Sequence, residues 1–149
     1  MSTFQIGHVA LNVSNLDRSV SFYTDVFGLA VRGRSSEDGR KFAFLGTEQG
    51  VVLTLWEQSE GSFQTASPGL HHLAIQATDI HEVKAFERKL NELGTKFLYD
   101  GIVTHREGSP SGGIYFEDPD GIRLEIFSST GADEHGHAVE GGGPSCGFF

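Results

Sequence analysis

The sequence predicts an α+β fold built from two βαβββ modules. Three observations predict it. An internal repeat aligns HVALNVSNLDRSVSFYTDVFGL, from His8, with HLAIQATDIHEVKAFERKLNEL, from His72, without a gap. In each copy an apolar stretch of strand length runs into a helical period. Each helix is then followed by three further strand-like stretches separated by turn residues. Self-similarity at a fixed offset is the signature of a duplicated architecture. His8 meets His72, Ala10 meets Ala74, Leu16 meets Ile80 and Phe22 meets Phe86, so size, polarity and turn chemistry agree together.

The elements follow in chain order. HVALNV is the first strand. Ser14-Asn15 then offers side-chain oxygens to the free amides of a helix start. Leu16, Val20, Tyr23 and Phe27 recur at helical spacing, and Gly28 is the stop. LAVRGR, RKFAFLGT and VVLTLWE complete the first module, divided by SSEDGR and TEQG. In the second copy HLAIQA is the strand, Thr78-Asp79 the cap, and Ile80, Val83, Leu90 and Leu93 the apolar face, with Gly94 as the stop. TKFLYDG, GGIYFED and GIRLEIFS are its remaining strands. DPDG between the last two suits a type I turn, because Pro presets the second position and Gly relaxes the last. One domain is expected over 1–127, with modules at 4–57 and 70–127 and a linker at 58–69. Residues 128–149 read as a Gly-rich tail, expected to be mobile.

Composition narrows the function. A formal charge of -9 and a pI near 5.1 leave no basic surface to neutralise phosphates, which excludes a nucleic-acid partner. A single cysteine, Cys146, allows no internal disulfide. No signal peptide or membrane-spanning run is visible, so a cytoplasmic protein with no membrane partner is expected.

The candidate chemistry lies in PGLHHLAIQATD and GIRLEIFS. Of the adjacent pair, His72 aligns with His8, so these two are expected to converge on one point. Strand alternation would then turn His71 away. Glu125 interrupts an apolar strand between Leu124 and Ile126, where a carboxylate is costly unless paired or bound to a cation. Read singly, each is a core histidine or a glutamate paired with a residue such as Arg123. Together, two histidines and one carboxylate form a facial triad that leaves metal positions open for substrate and oxidant.

These stretches, and above all YFEDPDGIRLEIF, resemble the vicinal oxygen chelate superfamily of glyoxalases, fosfomycin-resistance transferases, extradiol dioxygenases and bleomycin-resistance proteins. The resemblance covers residues 4–127. It implies paired modules whose strands form a curved mixed sheet around a divalent metal, with His8, His72 and Glu125 at the ligand positions. Glyoxalase I-like members carry a fourth ligand on the last strand of module one, and the matching position here is read as Leu53, which cannot ligate. The drug-binding members usually lack the ligands altogether.

A one-domain extradiol dioxygenase cleaving a catechol-like aromatic with Fe(II) and O2 is the first expectation. The resemblance then makes His105 and Tyr115 catalytic, orienting substrate and stabilising charge by hydrogen bonds. The acid–base histidine usual in that group is missing, with Gln49-Gly50 near its place. A metal-dependent lyase, isomerase or thiol transferase using Mn(II), Zn(II) or Ni(II) is the alternative. Its phosphonate-binding form would draw on Lys96, Arg106 and Arg123, a thin cationic set. A metal-free drug-binding protein is third. The resemblance also implies a homodimer and a small-molecule substrate. His135 and His137 in the tail read as exposed residues rather than ligands.

Overall fold

The computed structural model describes residues 2–140. Cys146, the GGG run at 141–143 and the terminal Phe148-Phe149 lie outside the described residues. The chain divides into two units, Met1–Phe63 and Gln64–Phe149. Each holds a four-stranded mixed sheet and a helix of its own. The α+β class and the paired βαβββ modules are those the repeat predicts.

The first unit runs β1 (Val9–Val13), α1 (Leu16–Phe27), β2 (Ala30–Glu37), β3 (Arg40–Thr47) and β4 (Gly50–Glu57). Its strand order is β1-β4-β3-β2, with β1 parallel to β4. Asn15 caps α1 by accepting from the Arg18 amide, and Gly28 ends it in the left-handed region at φ 66°. Leu16, Val20, Tyr23 and Val26 of α1 are buried, as are Leu11, Val13, Leu45, Leu53 and Leu55 of the sheet. Alternation leaves the other sheet face to Phe42, Phe44, Thr54 and Trp56. The three rings lie 5.0 to 6.0 Å apart, and the Trp56 indole donates to Thr54 Oγ1 at 3.1 Å.

The second unit runs β5 (Leu73–Gln76), α2 (Ile80–Glu92), β6 (Val103–Thr104), β7 (Gly112–Glu117), β8 (Arg123–Ser128) and a short α3 (Ala132–His135), with strand order β5-β8-β7-β6. Asp79 caps α2 through the Glu82 amide. The Asp118 carboxylate accepts from the amides of Asp120 and Ile122, which locks the turn between β7 and β8. That turn fixes the register in which Tyr115 stands opposite Glu125.

Two expectations change. TKFLYDG is not a continuous strand. Leu98 donates to Tyr115 and Lys96 accepts from Glu117, but only Phe97 forms a bridge, to Phe116. The chain turns at Gly101, φ 66°, and returns as the two-residue β6. The tail from 128 is docked over its described part. Ala132 is fully buried, His137 donates to the Ile102 carbonyl, and Thr104 donates back to His137. The apolar period is short here, but backbone pairing at an open sheet edge does not need one.

Candidate metal centre

Strand β8 shows two sets of side chains. Leu124 and Ile126 are fully buried together with Ile114 and Phe116 of β7 and with Val83 and Leu90 of α2. Arg123, Glu125 and Phe127 alternate with them onto the opposite face. Glu125 is 5% exposed, so its carboxylate must be satisfied by neighbours. Tyr115, directly across the ladder, donates its hydroxyl to Glu125 Oε1 at 2.9 Å. His105 Nε2 lies 2.5 Å from the same oxygen, and its Nδ1 lies 2.6 Å from Ser111 Oγ. The Nε2 of His72 faces the second oxygen, Oε2, at 3.3 Å.

Electrostatics fix the charge states. Burial holds the His72 pKa below the ordinary imidazole value, and His71 and Arg123 add to the lowering; the Glu125 charge opposes it. His72 is therefore neutral at neutral pH. Burial, then the charge of Glu125, pushes the Tyr115 phenol well above its ordinary range. It stays protonated and can only donate to the carboxylate. Tyr99 packs edge-on against it, ring centroids 5.5 Å apart.

His71 does not face away. Its Nδ1 lies 2.8 Å from Nδ1 of His72. Alternation fails here because β5 begins only at Leu73, so both histidines sit in irregular chain ahead of the strand. The contact is useful chemically. A neutral His72 that donates from Nε2 to Glu125 accepts at Nδ1 from His71. If the tautomers swap, His72 keeps its proton on Nδ1, donates to His71, and frees Nε2 as a lone-pair donor.

Two of the expected donors are spaced as a divalent cation would need them. Nε2 of His72 and Oε2 of Glu125 are 3.3 Å apart. That is the spacing of neighbouring donors on a first-row cation about 2.1 Å from each. Tyr115 and His105 occupy the other oxygen and would hold the carboxylate in place as outer partners. Among the described residues, no group of three or more His, Cys, Asp or Glu side chains is placed to hold a metal ion. His8 belongs to the first unit, exposed and immediately before β1 as His72 is immediately before β5.

Pairing registers correct the fourth-ligand position. Val9 pairs with Leu53 and Ala10 with Thr54, whereas Leu73 pairs with Leu124 and Ala74 with Glu125. The module-one counterpart of Glu125 is thus Thr54, not Leu53, and Leu53 matches the core residue Leu124. Thr54 is no carboxylate either. Glu57 is used elsewhere: it accepts from the Leu16 amide at 2.7 Å and pairs with Lys41. Among the basic candidates, Lys96 pairs with Glu117, Arg106 is exposed and Arg123 is buried on the Glu125 face. His135 and His137 line a separate cleft of about 370 Å³ with Lys84 and Arg88, and Lys84 Nζ lies 2.8 Å from His135 Nδ1. Ser111 and the His71 ring are site residues that sequence reasoning missed. Ser111 carries no pattern of its own in the SPSGG loop.

The model of the Glyoxalase/Bleomycin resistance protein/Dioxygenase superfamily matches residues 5–126, and the chain belongs to that superfamily. A probable lactoylglutathione lyase of Vibrio cholerae is 30% identical, over 89% of this chain and 96% of its own. A catechol-2,3-dioxygenase of Bacillus subtilis is 27% identical, over 83% of this chain and 41% of its own. The crystal structure of a glyoxylase/bleomycin resistance protein/dioxygenase domain from Frankia sp. EAN1pec superposes with a TM-score of 0.71 at 25% identity, covering 85% of this chain and 98% of that one. No helix among the described residues is long and apolar enough to cross a membrane.

Proposed function

We propose that the chain is a metal-dependent enzyme in which His72 and Glu125, with their repeat partner His8, are the ligands of a divalent cation, Fe(II) first. The reaction we assign is the oxygen-dependent cleavage of a catechol-like aromatic. One observation carries the choice: the counterpart of Glu125 in the other module is Thr54, so no second carboxylate is supplied, and a three-donor set leaves positions open. When bound, the cation supplies Lewis-acid charge to the oxygens of substrate. His72 offers a neutral imidazole. Tyr115 and His105 both hold Glu125, so their role in this reading is to keep the carboxylate oriented, rather than to touch substrate as the family resemblance implies.

A second reading has its own support in the similarity to the Vibrio cholerae relative: a lyase using Ni(II), Zn(II) or Mn(II) without O2. One experiment separates the two. Metal-free protein is loaded anaerobically with Fe(II), exposed to O2 and offered a catechol panel, and yellow ring-fission products are expected. Formation of lactoylglutathione under Ni(II), Zn(II) or Mn(II) without O2, with no ring fission, overturns the dioxygenase assignment. Less than about one equivalent of bound metal per chain, or binding unchanged in Glu125→Gln, overturns both.

A further inference from the structure

Arg123 has work that the proposed function does not absorb. It stands two residues before Glu125 on the same face of β8 and is 6% exposed. A guanidinium so deeply buried must spend its donors on specific acceptors. Its Nε donates to the main-chain carbonyl of His71 at 2.9 Å. That carbonyl belongs to the irregular chain just ahead of β5, which begins at Leu73. The His71 ring then meets Nδ1 of His72, and His72 turns Nε2 to Glu125. A strand residue thus reaches the segment that carries both histidines. The held segment and the carboxylate it faces are referenced to the same strand.

We propose that Arg123 is the positioning residue of His72: by clamping the His71 carbonyl it fixes the histidine pair and sets the direction of His72 Nε2. The consequence for a bound cation rests on the proposed function, but the orientation itself does not. Loss of the clamp shifts the His71 carbonyl, separates the two Nδ1 atoms and leaves His72 to sample both tautomers.

The test uses the full chain, metal-free, with 15N-labelled histidine, above the ordinary imidazole pH range. Long-range 1H–15N spectra report each ring's tautomer, and His72→Gln assigns its signals. In the wild type the His72 ring is expected in one tautomer, protonated at Nε2. In Arg123→Met its two nitrogen shifts move toward a common average, while unfolding stays cooperative. A folded Arg123→Met with unchanged His72 signals overturns the inference. Should Arg123→Met fail to fold, Arg123→Lys carries the test, because its ammonium lacks the directed Nε–H and the ring again leaves its single state. Mn(II) titration adds the consequence: binding about 10- to 100-fold weaker in Arg123→Met, the usual effect of losing an outer partner. If the wild type binds no metal while the ring response is present, the proposed function fails and the role of Arg123 stands.

Discussion

Three side chains meet the buried carboxylate of Glu125. Tyr115→Phe removes a hydroxyl that donates to a carboxylate, at a position only 1% exposed. Hydrogen bonds to charged groups contribute about 1.5–3 kcal/mol. With His105 still on the same oxygen, a loss near the lower end is expected, read as a shift in the denaturant midpoint with the slope unchanged. No change would mean that His105 alone satisfies Oε1. Glu125 was legible because a charged residue interrupted an apolar strand, and His72 because the repeat singled it out. The true partner of His71 was not, since alternation was applied to residues that precede the strand. The Leu53 assignment failed for a related reason. Alignment by repeat fixes β1 against β5, but only ladder register says which residue of β4 stands beside Ala10, and register is a tertiary fact.

At the level of elements, the helix starts were written plainly. Asn15 and Asp79 both accept from the amide three residues on, as Ser14-Asn15 and Thr78-Asp79 foretold. Asn15→Ala is expected to cost about 1 kcal/mol, measured by thermal or denaturant unfolding. Two carboxylates extend these caps, Glu82 from within the first turn and Glu57 over a distance that sequence does not show. Glu57, at the end of β4, accepts from the Leu16 amide, and Glu82 accepts from the Thr78 amide. The Leu16 amide at Glu57, and the Thr78 hydroxyl followed by its amide at Glu82, hold both carboxyls below the usual value of 4.5. A carboxyl whose folded pKa is depressed releases its proton more readily in the folded chain. Its stabilisation is fully present above about pH 4.5 and is lost as pH falls through the folded value. The melting temperature of the wild type should therefore exceed that of Glu57→Gln at neutral pH, and the gap should close on acidification below that point. A gap that persisted in acid would assign the effect of Glu57 to packing. The broken strand at 95–101 was illegible for a physical reason: its composition suits a strand, but β7 has room for it only over Lys96–Leu98 before Gly101 turns the chain.

On the scale of the whole molecule, one topology has been used twice and the sheet faces away from the helices have diverged. The first unit filled that face with Phe44, Thr54 and Trp56; the second placed Tyr115, Glu125 and Phe127 at the matching positions, and Gly113 where the first has Phe42. Duplication was legible because core positions keep the same periods, whereas these faces keep only the geometry. The segment after β8 breaks the symmetry, having no counterpart in the first unit. It closes the sheet edge at β6, where a two-residue strand would otherwise expose its amides. Gly131 makes the approach. It sits at φ 86°, and a Cβ there would come within 2.8 Å of the Ile80 side chain. Gly131→Ala combines a left-handed backbone, costing about 1–2 kcal/mol, with a clash against α2. Its expected result is a lower melting temperature together with faster amide exchange at Thr104, whose N–H donates to His137. Deleting residues 129–149 should accelerate exchange at the same amide while leaving the first unit's amides, such as those of Leu45 and Leu55, as protected as before. Protection at Thr104 that survives both changes would show that β6 holds its edge without the segment, and would return residues 128–140 to the status of a tail.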